Sequence, residues 1–526
     1  MGWFRKSRTR SHKVKKEVFL GYKPDQPDLE VTGFSERVAW FEQQLERCSD
    51  VAVHRFVARR DVPGVVLYIQ GMIDQQLIEL IMENDVLQFI ESGSAHEMSR
   101  MLSGLYEFPF LKIERTVNLN DAMHGLLDGQ LLLILDGESD IYIFPIKKIE
   151  KRAITEPTTE SVIRGPKESF IEDVDTNLTM IRRRIKHPGL KTETMMIGKY
   201  TQTKVVLMYL EGICGSGLVE EAKSRLERIQ IDGVLGSNYL QEYLEDNPYS
   251  PFPQAQHTER PDTLAAAILE GRLAIFVDGT PIPILEPVTF VMLMQATEDY
   301  YQRYIIATWI RWIRYLFLFV SFLFPSIYIA ITTFHPEMLP PTLLITVCAA
   351  REATPFPAIV EATLMELSFE ALREGGLRIP KSIGQTISII GALVIGQAAV
   401  EAGIVSASMV IVVSITGIAS FIIPHYDLGL AFRLLRFPVM FMAATFGLLG
   451  IIVSIFCLYL HLINLRSFGT PYLAPIAPLR LKELKDVFVR VPWWKMQDRP
   501  HFEGSAGGAR ERKVQHPKTP GQWDGD

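Results

Sequence analysis

The pattern of hydrophobic and polar positions changes character at about residue 304. Before this point, short apolar runs alternate with charged positions, as in strands and helices that bury one face. After it, four stretches without a charged residue have about the length that a membrane-spanning helix needs. These stretches cover residues 315–334, 384–400, 402–426 and 437–465. The pattern therefore predicts an α/β N-terminal half in water, followed by an α-helical transmembrane bundle.

A fifth apolar stretch, 338–350, is too short to cross a bilayer and predicts a re-entrant or half helix. Arginines before the first span place the N-terminal half in the cytoplasm by the positive-inside rule, and basic residues after the last span place the C-terminus there too. Arg433 and Arg436, at the other end of the last span, favour the same side for that end. We expect four spans with both termini cytoplasmic, while a fifth crossing through 342–372 stays open.

The N-terminal half contains an internal repeat with an offset of 141 to 142 residues. The matching positions are Gly71 and Gly212, Gly129 and Gly271, and the dipeptides Asp136-Gly137 and Asp278-Gly279. An Asp-Gly pair between two apolar runs is a strong signal for a β-hairpin. We predict two duplicated lobes that superimpose, in which the first glycine of each allows a close turn into a helix. We interpret the lobes as scaffold, with a ligand cleft between them as the alternative.

Composition and repeat together predict seven segments. They are a basic N-terminal tail 1–39, an α/β lobe 40–150, a connector 151–189, a second lobe 190–304, a transmembrane helical domain 305–465, a C-terminal cytoplasmic segment 466–498 and a disordered tail 499–526. The connector carries a charged helix over 171–185. Its basic residues are either a solvated face or a subunit contact, because arginine is favoured at interfaces. The candidates for that contact are Arg164, Arg182, Arg183 and Arg184.

Charged residues follow the short apolar stretch and lie between predicted spans. Arg351, Glu352 and Glu361 come first, and Glu366 and Glu370 begin a polar stripe at helical spacing that continues to residue 374. Ionisable groups at membrane depth face protein or water and are candidates for function. We interpret them as the wall of an aqueous vestibule, with an amphipathic helix at the membrane surface as the alternative.

The predicted span 384–400 is rich in small residues and has one mildly polar face. Such a helix either packs closely against its neighbours or lines a pore with an uncharged constriction. The residues that we assign to the pore hypothesis are Gln385, Ser388, Gly391, Ala392 and Gly396.

Charge and cysteine content narrow the functional classes. The formal net charge of −6 argues against a nucleic-acid partner, which requires a basic surplus. The four cysteines form no CxxC pair, and neither a metal-binding HExxH motif nor a phosphate-binding glycine loop is present. We therefore predict no metal, no cofactor and no enzymatic activity.

Several runs give the chain a specific resemblance between about residues 160 and 480. They are RGPKESFIED, AILEGRLAIFVDGTP, EDYYQRY, EALREGGLRIPKSIGQTISIIGALVIGQAAVEAGIVS and SFGTPYLAP. In these runs the chain resembles the A subunit of spore germinant receptors, the GerA family.

The resemblance implies an integral protein of the spore inner membrane, the cell membrane of the forespore. It implies a permease-like B subunit and a lipoprotein C subunit as partners, and assembly of A subunits into a homo-oligomer that conducts ions in response to a nutrient. A sister, SpoVA-linked branch amplifies germination, and the shared motifs do not separate the two branches. A secondary transporter and a non-conducting scaffold are further alternatives; transporters of that kind usually have more spans, arranged as repeats.

Overall fold

The structure is a computed structural model. It describes residues 33–58, 62–73, 113–146, 160, 164–352, 354–378, 396–496, 498–500 and 502. These residues form two similar lobes, a helical bundle and a C-terminal segment. The C-terminal segment packs against the second lobe and against the bundle.

In the part that the structure describes, the first lobe is a five-stranded antiparallel sheet with two helices on one face. Its strands follow the order β1-β2-β4-β5-β3. Alternate residues of β2, among them Val65 and Leu67, pack against the helices, because successive side chains of a strand point to opposite faces. The elements are α1 (Phe34–Gln44), β1 (Val51–Ala58), β2 (Val62–Ile69), β3 (Glu114–Thr116), α2 (Leu119–Leu127), β4 (Leu131–Leu135) and β5 (Ile141–Phe144).

The second lobe has the equivalent strand order, β6-β7-β9-β10-β8. Helices α3 and α6 pack on one face of its sheet, and α4 and α5 pack on the other. The elements are α3 (Val174–Arg184), β6 (Leu190–Ile197), β7 (Thr203–Leu210), α4 (Ser216–Glu227), α5 (Ser237–Leu244), β8 (Gln256–His257), α6 (Pro261–Leu269), β9 (Leu273–Val277) and β10 (Ile284–Glu286).

The shared strand order confirms the predicted duplication. The helices match as well, because α1 and α2 cover the same face of the first sheet that α3 and α6 cover in the second. Helix α3 is therefore the first element of the second lobe, whereas the sequence analysis assigned it to the connector 151–189. Likewise α1 begins at Phe34, inside the predicted tail 1–39.

The two repeat glycines share a left-handed backbone, with φ of 78° at Gly71 and 82° at Gly212. Side chains other than glycine rarely adopt this conformation. A Cβ at Gly71 would lie 2.7 Å from Thr179 Oγ1, whereas a Cβ at Gly212 would meet no atom within 4 Å. The close contact at Gly71 is thus with helix α3 of the second lobe, and the helix predicted to follow Gly71 lies outside the described residues. At Gly212 the backbone conformation alone favours glycine.

A short helix and a single 3-10 turn connect the second lobe to the helical half, and a two-stranded hairpin follows the last long helix. The elements are α7 (Phe290–Met294), the turn Thr297–Tyr300, α8 (Tyr304–Phe334), α9 (Pro341–Glu352), α10 (Ala358–Arg378), α11 (Ala407–Ser420), α12 (Tyr426–Phe446), α13 (Leu448–Asn464), β11 (Arg466–Ser467) and β12 (Thr470–Pro471). Among the described helices, α8 and α12 are long and apolar enough to cross a membrane, and α11 and α13 are shorter apolar helices.

The predicted span 437–465 is not one helix. It breaks at Gly447, which has φ 61° and ψ −140° and separates α12 from α13. Arg433 and Arg436 consequently lie within α12 and do not flank a span. Most of the predicted span 384–400 lies outside the described residues, and the predicted half helix 338–350 corresponds to the twelve residues of α9.

Candidate functional site

Two carboxylates of helix α10 pair with two arginines of helix α12 inside the helical half. Glu366 and Arg436 are both buried and form an ion pair through Arg436 Nη1. One turn further along α10, Glu370 Oε1 lies 3.4 Å from Arg433 Nη1. Residues three or four apart share a helix face, so both pairs lie along one contact between the two helices.

Arg373 extends this arrangement to helix α11. Its Nη1 lies 3.5 Å from Glu370 Oε2, and its Nη2 donates a hydrogen bond of 3.0 Å to Ser420 Oγ. The guanidinium also lies 4.7 Å from the ring centroid of Phe421, within the range of a cation–π contact. We call the five ionisable residues Glu366, Glu370, Arg373, Arg433 and Arg436 the charge cluster.

The charge cluster has unused hydrogen-bonding capacity. Four of its buried side-chain atoms have no hydrogen-bond partner in the described part of the chain: Glu366 Oε1, Arg433 Nε, and Arg436 Nε and Nη2. A buried polar group without a partner costs about 1–3 kcal/mol. The cluster is therefore suited to hold water or another polar group among its side chains.

Glu361 lies in the first turn of helix α10 and is completely buried against the start of helix α11. Its Oε2 accepts hydrogen bonds from the backbone N–H of Ser406 at 2.9 Å and from Ser406 Oγ at 2.8 Å. Its Oε1 lies 3.7 Å from Arg351 Nε and accepts from Thr354 Oγ1 at 3.3 Å. A carboxylate is favoured at a helix N-terminus, so Glu361 joins α10 to the first turn of α11.

The structure places the other predicted vestibule and pore residues differently. Glu352 is exposed at the end of α9, and Gly396 is buried with Val410 beside it. Gln385, Ser388, Gly391 and Ala392 lie outside the described residues. Within the stripe, Glu366 is buried against Arg436, whereas the Glu370 side chain is 47% exposed.

A second ionic centre joins the N-terminal half to helix α8, and the sequence analysis missed it. Asp299, which is buried, accepts hydrogen bonds from Arg311 Nε at 2.9 Å and from both Nη atoms of Arg314 at 2.8 and 2.7 Å. Arg311 Nη1 also lies 2.8 Å from Asp486 Oδ1. The two arginines therefore neutralise a buried carboxylate, although their positions in the sequence indicated only the flank of a span.

Arg182 links the two lobes. Its side chain is buried within the chain and therefore cannot form the subunit contact that the sequence analysis considered. It is 1% exposed and binds Asp50 of the first lobe through two hydrogen bonds, of 2.7 and 2.8 Å. Thr192 Oγ1 donates to the same carboxylate at 2.7 Å. Arg184 pairs with Glu168 in the same chain, while Arg183 and Arg164 are exposed.

The electrostatics of Asp50 explain how a buried charge is tolerated between the lobes. Burial on its own would raise the pKa of Asp50, but attraction to Arg182 and hydrogen bonds from Arg182 and Thr192 outweigh burial and lower it. The pKa of Arg182 is raised by the same partner. Both groups are thus charged at neutral pH and form a fully desolvated pair.

The loop before strand β8 contacts three elements of the helical half. Ser250 Oγ lies 2.8 Å from His461 Nε2, and the Phe252 ring packs edge-on against Phe432 at 5.4 Å. Tyr472 donates a hydrogen bond of 2.9 Å to the Pro253 carbonyl. Because all these partners belong to α12, α13 or the segment after them, the second lobe lies directly against the bundle.

Ser467 and Glu286 form the buried centre of this junction. Ser467 Oγ lies 2.7 Å from the Gln254 carbonyl and 2.9 Å from Glu286 Oε2, although a hydroxyl has only one hydrogen to donate. Burial raises the pKa of Glu286 well above its usual range, and the nearby Arg272 only partly offsets this. Burial thus favours the neutral form of Glu286, whose hydroxyl can donate to Ser467 Oγ while Ser467 donates to the Gln254 carbonyl.

The chain is similar in sequence to several known proteins. A family model described as "Bacillus/Clostridium GerA spore germination protein" matches residues 39–502. The chain is 46% identical to "Uncharacterized membrane protein YfkQ" of Bacillus subtilis, over 90% of this chain and 92% of that protein. It is 41% identical to "Spore germination protein KA" of the same organism, over 94% and 91% of the two chains.

Two further similarities involve germination proteins. "Spore germination protein A1" of Bacillus subtilis is 40% identical, over 88% of this chain and 96% of that protein. Among solved structures, the N-terminal domain of the A subunit of the Bacillus megaterium spore germinant receptor GerK3 is 31% identical. That match covers 49% of this chain and 96% of the solved one, with a TM-score of 0.39.

Proposed function

Since this chain belongs to the GerA family of spore germination proteins, we propose that it is the A-type membrane subunit of a nutrient-responsive germination receptor. In this proposal the subunits form a homo-oligomer whose helical halves conduct ions and so trigger germination. The protein resides in the spore inner membrane with both termini in the cytoplasm. Its partners are a permease-like B subunit and a lipoprotein C subunit.

The charge cluster is the observation that supports conduction best. Ionisable groups inside an apolar helical bundle are costly, so they pair with one another or face water, and they are candidates for an ion pathway. Here two carboxylates and three guanidinium groups meet between α10, α11 and α12. Glu370 is the member that reaches the surface of the chain, which suits the wall of a vestibule in an oligomer.

A flux measurement tests this proposal. The purified full-length chain is reconstituted into vesicles, and the release of K⁺ and Na⁺ is followed with ion-sensitive dyes. We expect cation flux that Glu370→Gln reduces, because loss of the exposed carboxylate removes negative charge from the vestibule wall. Glu220→Gln, on the surface of the second lobe, is the matched control and leaves the flux unchanged.

The alternatives give different results in the same assay. A secondary transporter gives flux that needs a substrate gradient, and a non-conducting scaffold gives none with or without its partner subunits. The SpoVA-linked alternative is tested in spores. If the protein is such a paralogue, deleting its gene slows germination with every nutrient, whereas deleting a receptor subunit abolishes the response to one particular nutrient.

A further inference from the structure

The C-terminal segment from 479 to 495 runs along the first turns of helix α8. Trp312 Nε1 donates a hydrogen bond of 2.9 Å to the Phe488 carbonyl, and the Phe488 ring lies 5.3 Å from that of Tyr315. Further back, the Trp494 ring lies 6.4 Å from that of Tyr304. The segment therefore follows α8 from its beginning to the point at which its uncharged stretch starts.

This segment exposes several large apolar side chains at the surface of the described structure. Leu481 is 72% exposed, and four other large apolar residues of the segment are exposed as well. These are Leu479, Phe488, Val489 and Trp493. The neighbouring turns of α8 expose Trp309, Trp312, Leu316 and Phe319, so the apolar surface of the segment continues onto the outer face of the helix.

Basic side chains alternate with these apolar residues. Lys482, Lys485 and Lys495 are exposed, whereas Asp486 is engaged by Arg311. Aromatic and basic residues together at the end of an apolar helix are typical of the interface between hydrocarbon and headgroups. A cationic and apolar surface of this kind complements anionic lipid.

We propose that the segment 479–495 lies in the headgroup region of the membrane and binds anionic lipid, with Leu481, Phe488 and Val489 inserted and Lys482 and Lys485 on the headgroups. This rests on the proposed function in one respect, the location of the helical half in a membrane. Through the contact of Asp486 with Arg311, such binding fixes the position of the ionic centre that joins the second lobe to α8.

Lipid contact is measured at single positions of the full-length protein. The exposed Cys348 and Cys457 and the buried Cys48 and Cys214 are first replaced, and one cysteine is then introduced and labelled with an environment-sensitive fluorophore. The test positions are Leu481→Cys and Val489→Cys. The references are Phe319→Cys and Ile452→Cys on exposed helix faces of the bundle and Tyr200→Cys on the second lobe.

The labelled proteins are reconstituted in vesicles of phosphatidylcholine with phosphatidylglycerol, with bromine on acyl positions near the headgroup. We expect blue-shifted emission and bromine quenching at positions 481 and 489, and no quenching at position 200. Lys482→Gln and Lys485→Gln each lower the ratio of docked to undocked segment about fivefold in these vesicles, but not in pure phosphatidylcholine. Lys199→Gln is the control and has no effect.

The remaining outcomes separate the two proposals. Quenching at 319 and 452 without quenching at 481 and 489 overturns lipid binding by the segment and leaves the membrane location intact. No quenching at 319 and 452 overturns the membrane location itself, and the lipid proposal with it. Blue-shifted but unquenched emission at 481 shows that protein covers the segment, and this also overturns the proposal.

Discussion

At the scale of single residues, Glu361 joins helix α10 to the start of helix α11. Its carboxylate accepts two hydrogen bonds from Ser406 and lies near Arg351. Glu361→Gln keeps an oxygen acceptor for Ser406, so we expect the protein to fold and its germination function to change through the lost charge. Glu361→Ala leaves the buried donors unpaired and destabilises by about 1–3 kcal/mol.

The measurement for this prediction has two parts. Protein abundance and melting temperature report folding, and spore germination reports function. Germination at the normal rate in the Glu361→Gln variant contradicts a functional role of the charge, whereas loss of the Gln variant from the membrane shows that the charge itself is structural.

Glu286 gives a prediction about pH. Its folded-state pKa is raised above the ordinary value of 4.5, so the stability it contributes is fully present below that value. This stability is lost as the pH rises through the raised pKa, because ionisation must then occur in a buried site. We expect the melting temperature to fall with rising pH in the wild type and to fall less in Glu286→Gln, which stays neutral.

Thermal unfolding of the purified protein across a pH series measures this difference. Glu220→Gln, an exposed substitution on the second lobe, is the control and keeps the slope of the wild type. An equal slope in Glu286→Gln and the wild type refutes the assignment of a protonated Glu286 to the junction.

At the scale of secondary-structure elements, Gly447 separates two helices that composition alone would join. Its φ of 61° and ψ of −140° are adopted almost only by glycine, and a Cβ there would lie 3.0 Å from His335 Nε2. We expect Gly447→Ala to destabilise by roughly 1–3 kcal/mol. Gly375→Ala is the matched control: a Cβ there meets no atom within 4 Å, and the helix gains stability from alanine. Equal melting temperatures for the two variants would show that the turn tolerates a side chain.

The contact between the lobes depends on helix α3 through Arg182. Removing one member of a buried ion pair leaves the other charge unpaired, so Arg182→Ala costs about 3–5 kcal/mol. Asp50→Ala in the same background recovers part of this loss, because no buried charge then remains. Thermal unfolding of the single and double variants measures the coupling, with the exposed Arg183→Ala as control. Additive effects of the two substitutions would show that the pair does not couple the lobes.

At the scale of the whole molecule, the ionic centre at Asp299 joins the N-terminal half to helix α8, and the helical half exposes apolar side chains on its outer faces. We expect the detergent-solubilised protein to be a closed ring of identical chains, since the proposed vestibule is lined by several copies. Mass measurement in detergent and symmetry in electron micrographs test this. A monomer with ion-coupled transport contradicts the ring and favours the transporter.

The repeat could be predicted from sequence because a hairpin signal and a strand–turn signal recur at one offset, and both depend on a few consecutive residues. The family resemblance was equally accessible, because its motifs are long. The boundary of the second lobe could not be placed, since helix α3 is charged on one face and its burial depends on a sheet that follows it. The break at Gly447 escaped detection because apolar residues continue on both sides.

The sequence by itself determined the duplicated lobes, the apolar character of the second half and the candidate residues of the stripe, because these follow from local periodicity and composition. Only the tertiary structure decided which charges meet. Glu366 and Arg436 lie 70 residues apart, and Arg182 and Asp50 lie 132 apart. Such pairs depend on how helices and lobes pack against one another, and no local pattern carries that information. Packing also turned Arg311 and Arg314, which precede a predicted span, into the partners of a buried aspartate.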